Sequence, residues 1–155
     1  MHAPDTRSLT LVLEREEAAR DDAALAVQRA QQHLDRAQAQ MEQLTTYRSE
    51  YIARWSDHFS RQSSMEIVHC YRSFMQRLDH AMAQQQTLVQ RQQATVEHAR
   101  TALLAAELKV AAVKKLIDRR VDEHRRRESR REQKQTDETA QHAAWRASQN
   151  DSAFS

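Results

Sequence analysis

The sequence predicts an all-α protein, a long antiparallel two-helix coiled-coil hairpin with a longer, overhanging C-terminal helix. Three observations predict it. First, the 155-residue chain has no glycine and one proline, Pro4, so it lacks the residues that punctuate tight turns. Second, aromatic residues make up 5% and charged residues 30%, too few bulky side chains for one compact core. Ala, Gln, Arg, Glu and Leu dominate, which is the composition of long helices. Third, the apolar residues recur regularly, which argues against the disorder that so much charge would otherwise suggest.

The first helix is expected over residues 9–57, after an N-terminal extension of 1–8. Alternating steps of four and three from Leu9 pass through Leu13, Glu16, Arg20, Ala23, Val27, Ala30, Leu34, Ala37, Met41, Leu44, Arg48, Tyr51 and Trp55. Most are apolar or aromatic, and a sustained 3.5-residue repeat marks a coiled-coil seam. Alanine in the middle of the seam lets helices approach closely but buries little area per layer.

The pattern breaks at "SDHFSRQSS", and a turn is expected over 58–63. Ser63 followed by Glu66 fits a capping box that opens a second helix near Ser64. That helix is expected over 64–146, with a seam of Ile67, Tyr71, Phe74, Leu78, Ala81, Gln85 and Leu88. After Gln92 the seam resumes as Val96, Ala99, Leu103, Ala106, Val110, Val113 and Ile117, and the change of phase suggests a stutter. With the turn centred near residue 61, Leu9 falls opposite about residue 113, by the antiparallel register. Residues 118–146 are then a charged overhang, and 147–155 a frayed tail.

The overhang concentrates charge. Arg119 to Lys134 holds eight basic and four acidic residues, a local +4 in a chain whose net charge is +2. Asp122 with Arg126 and Glu123 with Arg127 are spaced as i,i+4 pairs that can hold a solvated helix together. Pattern alone leaves two readings of this stretch, a solvated helix or a surface for another protein.

Several chemistries lack their residues. Without glycine there is no phosphate-cradling loop, and no two of the eight histidines stand three or four apart, so no helical His pair is set for a metal. His69 beside Cys70 is read as structural, and Cys70, the only cysteine, as an ordinary thiol. An extended two-helix rod gives no water-excluding pocket for acid–base work. No enzyme, cofactor or metal is therefore expected. No apolar run approaches the ~20 residues that span a bilayer, and the N-terminus lacks the plan of a signal peptide, so a cytoplasmic protein without membrane insertion is expected. A basic helix continuous with heptads resembles a basic leucine zipper. Here, however, the basic stretch follows the heptads, and Asp122, Glu123 and Glu128 interrupt it, so nucleic-acid binding remains only an alternative.

Three segments in order carry a family resemblance: "LTTYRSEY" at 44–51, "YRSFMQRLDHAMAQQ" at 71–85 and "RREQKQTDETAQHAAWR" at 130–146. Together they resemble the flagellar export protein FliJ family, with Gln133, Lys134, Asp137 and Glu138 the most specific part. The resemblance implies a stalk similar to the central (gamma) subunit of rotary ATPases. Its implied partners are the hexameric flagellar export ATPase, the cytoplasmic part of the export gate FlhA, and export chaperones. It implies a cytoplasmic protein held peripherally at the inner membrane through the export apparatus. The equivalent stalk of a virulence type III secretion system is the alternative of the same structural class.

The family's gate surface corresponds here to Gln40, Leu44, Tyr47 and Tyr51 on the first helix. On the second it corresponds to Phe74, Leu78, Ala81 and Gln85, the last a position where the family can have histidine. Leu44, Tyr51, Phe74, Leu78 and Ala81 also lie on the expected seams, so core packing and an exposed patch both remain open for them. Contact with the ATPase ring is expected from Arg126, Arg127, Arg130, Arg131, Glu132, Gln133, Lys134, Asp137 and Glu138.

Overall fold

The computed structural model describes residues 4–61 and 64–154. Two helices make up nearly all of it: α1, Arg7–Arg61, and α2, Met65–Ala153. No strand occurs among the described residues. The chain divides into two compact units, Ala18–Glu107 and Met1–Glu17 with Leu108–Ser155.

In the unit 18–107 the helices pack antiparallel. Gln31 of α1 meets Arg100 of α2, Gln40 meets Gln85, and Arg48 meets Asp79, so numbers rise along one helix as they fall along the other. The core between them is Ala30, Leu34 and Ala37 against Val89 and Val96, with Met41 and Ala99 packed beside it. Small and branched side chains of this kind permit close approach, and dispersion contacts between the two seams replace the large apolar areas of a globular core. The α1 seam follows the expected positions, each buried or half-buried from Ala23 to Trp55.

Both helices extend beyond the expected bounds. α1 continues through Phe59 to Arg61, where a turn was expected from 58. Phe59 lies four residues after Trp55 and packs on it, ring centroids 5.4 Å apart. Asp57 pairs with Arg61 at 3.9 Å on the same last turns. Ser63 of the expected capping box lies outside the described residues. The cap that the structure shows is Ser64, whose hydroxyl accepts from the Ile67 amide at 3.3 Å. Glu66 stands in the first turn, where its charge suits the helix dipole. At the other end α2 stays helical through Ala153, past the expected limit of 146.

The α2 seam is a correction. Leu88 is 38% exposed, whereas Val89 is 6% exposed. Buried or half-buried positions run Val68, Tyr71, Met75, Leu78, Met82, Gln85, Val89, Gln92, Val96, Ala99 and Leu103, in unbroken steps of three and four. No stutter occurs at 88–99. Two helices of a coiled coil share one supercoil, and an uninterrupted seam on α1 is matched by an uninterrupted seam on α2.

In the unit that joins the start of α1 to the rest of α2, Val110 is buried, and Leu9, Leu13, Val113 and Ile117 are half-buried. Here the spacing does relax. Val113, Ile117 and Val121 follow two steps of four, then come His124 and Glu128, all half-buried. Cover therefore persists beyond residue 117, and from Ser129 to Phe154 every described residue is exposed. The uncovered stretch therefore starts at Ser129, later than the expected 118.

Candidate functional site

Two surfaces stand out, one in each unit. The first is aromatic. The chain contains two Trp, three Tyr and three Phe, and six of these eight rings gather near the α1–α2 connection. Tyr47, Tyr51, Trp55 and Phe59 follow one another on α1 at steps of four, which places them on one side of the helix. Tyr71 and Phe74 come from α2. Tyr51 sits at the centre, 4.3 Å from Phe74, 6.0 Å from Tyr71 in a stacked arrangement, and 5.8 Å from Trp55. Tyr47 reaches Tyr51 at 6.2 Å and the edge of Phe74 at 6.3 Å. Such ring pairs contribute about 0.5–1.5 kcal/mol each beyond their buried area, so the cluster clasps the two helices together.

The eight residues expected to form a gate surface separate by burial. Tyr47 is 45% exposed and Leu78 is 7% exposed. Leu78 is thus seam, beside buried Met75, and not a surface residue. Leu44, Tyr51, Phe74 and Ala81 are half-buried. The corrected α2 phase puts Met75 and Met82 in the seam, which moves Phe74 and Ala81 to its flank, on the side of Tyr47. Gln40 is exposed, and the Gln85 amide nitrogen donates to its side-chain oxygen at 3.1 Å and to the Ala37 carbonyl at 2.9 Å. Gln85 therefore bridges the helices at a seam position, and a hydrogen-bonded polar residue there favours one register. Arg48 donates to Asp79 at 2.8 Å across the same edge, an exposed pair that contributes ~0–1 kcal/mol. The structure brings these residues to one end of the unit and leaves Tyr47, with parts of Tyr51 and Phe74, open to solvent.

Sequence reasoning missed Phe59, which it placed in the turn. Its signal was the step of four from Trp55, continuing the Tyr47–Tyr51–Trp55 series.

The second surface is the end of α2. Arg126, Arg127, Arg130, Arg131, Glu132, Gln133, Lys134, Asp137 and Glu138 are all exposed. The pairs Asp122–Arg126 and Glu123–Arg127 do not close to ion-pair distance. His124 and Glu128 do, at 3.4 Å, since both lean along the half-buried face. Beyond the charges, Trp145 is 59% exposed and shares a shallow depression with Glu138, Gln141 and His142. Thr136 and Thr139 turn their hydroxyls back to the carbonyls of Glu132 and Gln135, a bond that keeps the local helix polar groups satisfied without a partner.

Among the described residues no group of three or more His, Cys, Asp or Glu is placed to hold a metal ion. No helix is long and apolar enough to cross a membrane. Cys70 is exposed.

A two-helix coiled coil with an aromatic patch in one unit and an uncovered charged helix in the other defines a class of α-helical proteins suited to protein contact. The chain belongs to the FliJ family: the family model described as Flagellar FliJ protein matches residues 6–149. Membership makes it a component of flagellar type III protein export. Comparison with curated proteins gives no match, and neither does comparison with solved structures.

Proposed function

We propose that this chain is a non-enzymatic coupling stalk of flagellar protein export. It links the hexameric export ATPase to the cytoplasmic part of the export gate FlhA and escorts export chaperones. It works in the cytoplasm, at the inner membrane only through the apparatus. Family membership supports the setting. The observation that carries the reading is the uncovered helix of 129–153, exposed at every position although its helical geometry is complete to Ala153.

In this reading the unit that combines the start of α1 with the charged end of α2 meets the ATPase ring. Arg126, Arg127, Arg130, Arg131, Glu132, Gln133, Lys134, Asp137 and Glu138 make weak, reversible contacts with loops of the ring. Each exposed ion pair contributes only ~0–1 kcal/mol, which suits a contact that must be remade repeatedly. The aromatic patch meets the gate through Tyr47, Tyr51 and Phe74, with Gln40, Leu44, Ala81 and Gln85 around them. Leu78 supports it from beneath.

The test is co-purification of the full chain with the hexameric export ATPase and, separately, with the cytoplasmic part of the gate. Capture of both is expected, and failure to retain either one would end the coupling reading.

A further inference from the structure

The stripe Gln40, Leu44, Tyr47, Tyr51 does not stop at Tyr51. The next steps of three and four reach Arg54 and His58, so all six residues lie along one line of α1. At that point the surface changes shape and charge. Arg54, Trp55 and His58 line a depression of about 270 Å³. The His58 ring stands edge-on to Trp55, 5.5 Å away at 81°, and Phe59 and Tyr71 also pack on Trp55, at 5.4 and 5.7 Å. The indole is thus held by its neighbours while it lines the depression.

Charge sets Arg54 apart from its neighbours on α1. Arg48 is paired with Asp79 and Arg61 with Asp57. Arg54 has no ion pair or hydrogen bond among the described residues. A guanidinium is a rigid fork of donors that matches a carboxylate, and here it lies beside a held indole and an imidazole.

We infer that the gate-facing surface continues past Tyr51 into this basic–aromatic depression, which receives a carboxylate side chain of the partner segment with an apolar or aromatic side chain beside it. Arg54 binds the carboxylate, Trp55 packs the neighbouring apolar group, and His58 closes the far side. The inference rests on the proposed gate contact, because the stripe supplies its continuity. The partner segment is therefore acidic at one end and apolar along the rest, the complement of a stripe that runs from Leu44 and Tyr47 to Arg54.

The experiment titrates the full chain with the cytoplasmic part of the gate by isothermal calorimetry, at low and at high salt. Unaltered protein is compared with Tyr47→Ala, Arg54→Glu and Arg54→Lys, and circular dichroism checks that each stays helical. Arg54→Glu is expected to weaken binding at least about fivefold at low salt, and the loss should shrink at high salt, as screening of an exposed charge requires. Arg54→Lys should keep most of the affinity. If Tyr47→Ala weakens binding and Arg54→Glu does not, the extension is wrong and the gate contact stands. If neither variant changes binding, or the unaltered chain does not bind, both fail. A loss at Arg54 without one at Tyr47, or one indifferent to salt, overturns the continuous stripe as drawn here.

Discussion

Tyr47 and Leu78 carry the residue-scale contrast. Both belong to the surface that resemblance assigns to gate contact, yet Tyr47 is open to solvent and Leu78 is buried between the helices. Truncating each should therefore do different things. Leu78→Ala removes packing and leaves a void, and is expected to cost about 2–4 kcal/mol of stability. Tyr47→Ala gives up only peripheral ring contacts, and should lower the thermal midpoint little while weakening gate binding. Thermal unfolding by circular dichroism, alongside the binding assay, checks both. An unfolding shift for Tyr47→Ala as large as that for Leu78→Ala would make Tyr47 core. Burial could not be read from residue type here, since tyrosine and leucine both occur at heptad spacing in this chain. Phe59 teaches the same point from the other side. As a ring in a serine- and charge-rich stretch it looked like turn, but Trp55 and Tyr71 hold it in the cluster.

At the scale of elements, α2 poses the sharper problem. Ile67–Val68, Phe74–Met75, Ala81–Met82 and Leu88–Val89 are apolar doublets that recur every seven residues. Periodicity accepts either member of each doublet as the seam. The packed helix uses Met75 and Val89, because a steady 3.5-residue repeat must stay facing α1. The start of α2 depends on a smaller device. Ser64→Ala should destabilise the hairpin by about 0.5–2 kcal/mol, the usual effect of losing a capping hydroxyl, and thermal unfolding will show it. Equal stability would mean that water caps the helix as well as the serine does. The end of α2 is different again, since its exposed side chains pack on nothing. A helix supported only by local interactions is marginal in water. Amides of 129–153 should thus exchange with solvent far faster than those around Leu34 and Val89, and hydrogen-exchange mass spectrometry measures the difference. Binding of the ATPase should slow exchange in that stretch.

For the whole molecule, the proposed coupling role requires two contacts made by two sets of residues. Lesions should then separate. A chain ending after Glu128, which keeps every half-buried residue among those described, should lose association with the ATPase, more at low salt than at high salt. It should still bind the gate. Tyr47→Ala with Phe74→Ala should do the reverse. Pull-downs of both variants against both partners decide the matter, and a truncation that abolishes gate binding would show that the two contacts are not independent.

The sequence by itself determined that this protein is two long helices, and it placed the α1 seam residue by residue. It also located the local excess of basic charge. These are local properties: helix propensity, the absence of glycine and the heptad step act within a few turns of chain. Tertiary structure decided which member of each α2 doublet faces inward and that Phe59 completes the aromatic cluster. It also decided that cover persists to Glu128, leaving the helix beyond it bare. Those outcomes depend on where the second helix lies against the first, and a periodic pattern does not encode that register when neighbouring residues can fill the same gap.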